Sequence, residues 1–205
     1  TEFDLAQTAS HLSRGAWRII YLCNPNNPTG GLLSAKAIAD WANANPSVLF
    51  LIDEAYIDFV PEAESMIQFR LPNLLVLRSL TKAHSLAGLR LGYLVGPAAI
   101  IAQLRSKCPP WSVNSVAQVA GVVALQDQDF LDKSLAKLSE TGRAFRSSLL
   151  RLGMNVMPTR TNYFLVNVGD MKYVTAGLQT AAGHTVRKRL LHKGFMAVPY
   201  THLTL

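Results

Sequence analysis

Asn73-Leu74-Leu75-Val76-Leu77-Arg78-Ser79-Leu80-Thr81-Lys82 runs from a strand-sized apolar stretch straight into hydroxyls and an amine. Its four consecutive apolar residues are far too few for a membrane span and suit a buried strand, Asn73–Arg78, ending at Ser79. Two earlier stretches repeat the design. Arg18–Cys23 ends in Asn24-Pro25-Asn26-Asn27-Pro28-Thr29-Gly30, and Val48–Ile52 ends in Asp53-Glu54-Ala55-Tyr56. Between those two, Ser34 reads as the N-cap of an alanine-rich helix running to about Asn45. Strands alternating with helical segments predict a parallel α/β sheet. Each polar cluster falls just past the C-terminal end of a strand, where open α/β sheets hold their ligands.

From Ala98 onward the pattern turns mostly helical. Pro109-Pro110 breaks one helix, and Val113–Gln126, rich in alanine and valine, reads as a buried one. Asp129–Leu152, with apolar residues at 131, 135, 138, 145 and 149, is long enough to cross between domains, and Gly153 closes it. Asn162–Val168 alternates like a half-buried strand, Thr175–His192 reads as helix, and Phe195–Val198 as a further strand.

A chain of 205 residues, 49% hydrophobic and 16% charged, buries a sizeable core and is globular rather than disordered. The net charge of +7 gathers partly at Arg187, Lys188, Arg189 and Lys193, with Arg143, Arg146, Arg151 and Arg160 before them. Without a recognised reader motif these read as a solvated face, and anionic phosphate ligands account for positive charge equally well. No nucleic-acid or membrane partner is expected. Cys23 and Cys108 have no CxxC spacing and no neighbouring His, so they read as reduced thiols in a cytoplasmic protein without a metal site.

Lys82 stands one residue after Thr81, three after Ser79 and eight before Arg90 in Gly88-Leu89-Arg90-Leu91-Gly92. A lysine flanked by hydroxyls, with an arginine shortly after, can hold an aldehyde cofactor covalently and grip its phosphate. An Asp at a strand end can face a pyridinium nitrogen. Taken singly, Lys82 is an ordinary surface lysine and Asp53 a cap or turn former. As a set with Asn24–Gly30 and Asp53–Tyr56, these residues resemble the class I/II aminotransferases that use pyridoxal phosphate (PLP). Within them the resemblance is to the histidinol-phosphate aminotransferase and threonine-phosphate decarboxylase branch.

That resemblance runs from about Phe3 to about Val198. It implies an α/β, type I PLP-dependent transferase fold: a parallel-dominated mixed sheet flanked by helices (residues 1–135) and part of a small α+β domain (136–205). It implies that Lys82 binds the cofactor aldehyde, that Asp53 pairs with the pyridine nitrogen, and that Tyr56 and Asn27 contact the ring O3′ oxygen. Lys82, Asp53 and Tyr56 are thus the expected catalytic residues, and Ser79, Thr81 and Arg90 the expected phosphate contacts. Gly88 and Gly92 are expected to let the backbone pass close beside Arg90, and Asn27–Pro28 is a candidate cis peptide. His84 is expected to play a structural part, Asn162-Tyr163 to pack, and Glu54 and Asp58 to be solvated or dimer-facing. The implied function is amino transfer between an amino acid or amino-phosphate and a 2-oxo acid, by a homodimer when complete. Threonine-phosphate decarboxylation is the alternative, towards which Pro110-Trp111-Ser112-Val113-Asn114 leans. Family members begin well before the residue numbered 1 here and follow Val198 with arginines that clamp the substrate carboxylate. Here Pro199-Tyr200-Thr201-His202-Leu203-Thr204-Leu205 follows instead. The expectation is therefore a fragment lacking both terminal parts and inactive by itself, with a non-catalytic PLP-fold remnant as the reading from another class.

Overall fold

In the computed structural model the described residues are 10, 17–168 and 182–199. Strand β1 (Ile19–Cys23) leads through the Asn/Pro turn to helix α1 (Ala35–Ala44) and strands β2 (Leu49–Asp53), β3 (Leu74–Ser79) and β4 (Gly92–Val95). These strands pair in the order β1-β2-β3-β4, the first three parallel and β4 antiparallel to β3. Cys23 lies beside Asp53, and Asp53 beside Leu77. The three parallel strands therefore finish at one edge of the sheet.

Strand alternation gives that sheet two faces with different tasks. Ile20, Phe50, Ile52, Leu74 and Val76 form one core with Ile38, Ala39 and Ala42 of α1 and with Met66. Fully burying side chains such as Phe50, Ile38 and Ile52 contributes about 1.5–3 kcal/mol each. The register places Tyr21, Asp53 and Ser79 on the opposite face. Helix α1 is held at both ends. Ser34 Oγ accepts from the Ala37 amide at 3.1 Å, as expected of an N-cap. Buried Asn73 donates to the Ala42, Asn45 and Val48 carbonyls at the other end.

The second half comprises α2 (Ala98–Arg105), α3 (Ser115–Gln126), α4 (Gln128–Arg151), the antiparallel pair β5 (Asn155–Val156) and β6 (Val166–Asn167), and α5 (Ala182–His192). Residues 135 and 136 lie inside α4, and Gly153 follows it at φ +76°. Helix α3 corrects the expectation of burial: only Ala117 and Gly121 are buried, while Val116, Val119, Val122, Val123 and Leu125 are exposed. An apolar composition on every side marks no inward face. Here the narrow Ala/Gly stripe packs, with Gly121 against Leu91 and Leu80. The strand expected at 162–168 contracts to Val166–Asn167, and residues 195–198 form no strand, with Phe195, Met196 and Val198 exposed. The helix expected from Thr175 is present over Ala182–His192; residues 175–181 lie outside the described residues. Among the described residues no helix is long and apolar enough to cross a membrane, and no three His, Cys, Asp or Glu side chains gather as for a metal.

Candidate active site

The turn after β1 is fixed largely by its own asparagines. Asn24 is buried, exchanges two side-chain hydrogen bonds with the Leu33 backbone, and donates its amide to the Asp53 carbonyl at 2.9 Å. The Asn26 carbonyl accepts from the Gly30 amide, and its Nδ2 donates to Thr29 Oγ1 at 2.8 Å. Asn24–Pro25 and Asn27–Pro28 are both cis. Asn27 turns outward instead, and its Nδ2 donates to the Tyr56 hydroxyl at 3.0 Å.

Asp53 sits at the C-terminal end of β2. Its Oδ1 accepts from the Ala55 amide at 3.0 Å, and its Oδ2 accepts from the Tyr21 hydroxyl at 2.6 Å. That hydrogen bond, with partial burial and the carboxylate's charge, pushes the Tyr21 phenol well above the ordinary tyrosine range. Tyr21 escaped the sequence reading, although alternation places it on the face of Cys23, the neighbour of Asp53 in the register. Recognising it required knowing that β1 and β2 are adjacent. Burial raises the Cys23 thiol, which donates to the Pro25 carbonyl.

Lys82 Nζ stands 5.5 Å from the centroid of the Tyr56 ring, within reach of a cation–π contact. Lys82, Tyr56 and Asn27, expected from three separate stretches, are thereby joined through Tyr56. Ser79 Oγ and Thr81 Oγ1 are 2.8 Å apart on either side of Leu80. Arg90 is exposed, and one guanidinium nitrogen donates to the Ala87 carbonyl at 2.9 Å; the side-chain hydrogen bonds of Asp53 likewise run outside the expected set, to Tyr21 and Ala55. Its backbone is left-handed, φ 54° and ψ 53°. That conformation costs a non-glycine residue about 1–2 kcal/mol and so marks a position under constraint. Gly92 is needed for close approach, since a Cβ there would lie 2.6 Å from the Arg78 carbonyl. Gly88 faces open space and serves no such purpose, contrary to expectation.

Glu54 and Asp58 also depart from expectation. Glu54 is completely buried and accepts from Ser65 Oγ and the Met66 amide, each at 2.6 Å. Arg78 approaches Glu54 at 3.7 Å and pairs with Asp58. Burial pushes the Glu54 carboxyl above its ordinary range, against the opposing pull of Ser65, the Met66 amide and Arg78. The acidic residue beside Asp53 in sequence thus points into the fold and anchors the chain there. His84 is buried as well, and its Nδ1 has no hydrogen-bond partner in the described structure. Tyr163 packs edge-on against Tyr56, ring centroids 4.8 Å apart.

Residues 2–205 match the family model of aminotransferase class I and II, and the chain belongs to that family. It is 40% identical over 188 residues to histidinol-phosphate aminotransferase 2 of Ralstonia nicotianae, covering 89% of this chain and 48% of that one. It is 42% identical over 154 residues to the threonine-phosphate decarboxylase of Salmonella typhimurium, covering 72% and 42%. Among solved structures, the histidinol-phosphate aminotransferase of Sinorhizobium meliloti in complex with pyridoxal-5'-phosphate superimposes with a TM-score of 0.81 at 25% identity, covering 98% of this chain and 54% of that one. The type I transferase fold is therefore the fold of this chain, which spans about half the length of the relatives it matches.

Proposed function

We propose that this chain is part of a pyridoxal-phosphate-dependent aminotransferase of the histidinol-phosphate aminotransferase group, moving an amino group between an amino acid or amino-phosphate and a 2-oxo acid. The observation that carries this reading is the meeting of Asn27 and Lys82 at Tyr56, three residues after Asp53 at the end of β2. The donor set suits the cofactor chemically: an amine for its aldehyde, a carboxylate for its ring nitrogen, a phenol and an amide for its O3′ oxygen, and hydroxyls with a guanidinium for its phosphate. When bound, pyridoxal phosphate supplies an electron sink for charge developing at the substrate Cα.

Each remaining task falls to a side chain. Lys82 Nζ would hold the cofactor through its aldehyde and, as a free amine, would carry the proton taken from the substrate Cα. Asp53 would face the ring nitrogen, and its two hydrogen bonds from Tyr21 and the Ala55 amide orient the carboxylate. Tyr56 and Asn27 donate to O3′. Ser79 and Thr81 form a hydroxyl pair for the phosphate, and Arg90 adds a charged fork. Residues 1–135 make up the cofactor-binding domain and 136–205 part of the smaller one, in a cytoplasmic homodimer.

Decarboxylation of threonine phosphate is the second reading, favoured by the 42% identity to the Salmonella typhimurium enzyme. The intact, cofactor-loaded protein distinguishes them when given histidinol phosphate with a 2-oxo acid, and separately threonine phosphate. Formation of the amino product from the 2-oxo acid supports aminotransfer; release of carbon dioxide from threonine phosphate transfers the assignment to decarboxylation. Neither reaction, with cofactor bound, assigns a non-catalytic protein.

A further inference from the structure

The segment Thr159–Tyr163 lies across the Asn/Pro turn although more than 120 residues separate them in sequence. The Arg160 amide donates to the Gly30 carbonyl at 3.2 Å. Thr159 sits directly on Gly30, where a Cβ would come within 1.9 Å of Thr159 Oγ1. The Tyr163 hydroxyl donates to the Asn26 carbonyl at 3.0 Å, and its ring meets the Tyr56 ring edge-on at 4.8 Å. Thr159 Oγ1 also accepts from the Thr161 amide, which stiffens the segment itself. One side chain thus touches the residue preceding Asn27 and the aromatic ring of the Asn27 partner.

We propose that Tyr163 is a positioning residue that sets the geometry of the Asn27–Tyr56 pair. The inference rests on the reading that this pair contacts the O3′ oxygen of pyridoxal phosphate. A phenol-to-carbonyl hydrogen bond fixes the backbone from which Asn27 projects, and the edge-on ring fixes the tilt of Tyr56. Losing either loosens the 3.0 Å hydrogen bond between them. Donors held less firmly stabilise an anionic O3′ oxygen less, so the bound cofactor retains its proton to higher pH. Packing alone, the role the sequence suggested for Tyr163, carries no such consequence.

The test is a pH titration of cofactor absorbance in the intact, PLP-loaded protein, comparing wild type, Tyr56→Phe, Tyr163→Phe and the double variant. Tyr163→Phe keeps the ring and is expected to raise the midpoint by about 0.4 pH unit, the worth of one loosened hydrogen bond. Tyr56→Phe raises it further, and the double variant shifts by less than the sum because the Tyr163 hydroxyl acts on the Asn27–Tyr56 hydrogen bond, which Tyr56→Phe already removes. Gly30→Ala, which lifts Thr159 away from the opposite end of the contact, raises the midpoint as well. A midpoint unmoved in Tyr163→Phe while Tyr56→Phe shifts, or shifts that simply add, overturns the positioning role and leaves the cofactor reading standing. A wild type whose cofactor spectrum does not titrate, or whose reduced label is not on Lys82, overturns the cofactor reading and this inference with it.

Discussion

Tyr21 and Asp53 meet across the first two parallel strands, phenol to carboxylate at 2.6 Å. This contact makes the neighbouring strand part of the site, because Asp53 is held from the side as well as by its own Ala55 amide. The raised Tyr21 phenol fixes the sign of its pH dependence. A group whose pKa rises on folding stabilises the fold fully below its unfolded value and loses that contribution as pH climbs towards the folded value. The melting-temperature advantage of wild type over Tyr21→Phe is therefore expected to hold at neutral pH and to shrink above about pH 10. An advantage that grows with alkalinity contradicts the hydrogen bond's direction.

Asp53 itself is expected to act electrostatically. Asp53→Asn preserves the hydrogen bond from Ala55 in shape but removes the charge, and turnover is expected to fall by roughly two or more orders of magnitude. Steady-state kinetics with a matched melting curve checks this; near-native turnover removes Asp53 from the mechanism.

Glu54 tests the buried anchor next to it. In Glu54→Gln one acceptor oxygen becomes an NH2 facing a donor, Ser65 or the Met66 amide, at an expected cost of about 1–3 kcal/mol by denaturant titration. Because burial raises the Glu54 pKa, its own contribution is greatest below the ordinary glutamate range and declines as pH rises through its folded value. The variant lacks that declining limb.

Gly30 combines φ +71° with Thr159 resting on it. Gly30→Ala is expected to destabilise by about 1 kcal/mol or more, since backbone strain and a clash with the Thr159 side chain act together. Thr159→Gly removes the side chain in the way and restores part of the loss. Equal cost in both backgrounds, measured by thermal melting, shows that the segment does not rest on the turn.

The parallel strands were legible because their apolar runs are short and bounded by turn residues, and the placement of Asp53 and Ser79 at their ends and of Asn27 in the turn beyond followed directly. The Ser34 cap was legible because capping is local. Tyr21 was not, since its partner is a neighbour in the sheet and not in the chain. Glu54 was misjudged because a charged residue after a strand is usually solvated, and only its distant partners Ser65, Met66 and Arg78 make burial tolerable. The valines of α3 gave no sidedness, so their exposure could not be read from their spacing. Tyr163 was expected to pack and does so against Tyr56, whereas its hydrogen bond to the Asn26 carbonyl could not be read because it depends on where the Asn/Pro turn lies in space.

Borohydride reduction of the intact protein with pyridoxal phosphate, followed by peptide mapping, tests the central claim about Lys82 most directly. The expected result is a single pyridoxyl label on Lys82, lost in Lys82→Ala while weaker, non-covalent cofactor binding through the phosphate contacts remains. A label on another lysine, such as Lys107, or no specific label at all, contradicts the assignment of this site.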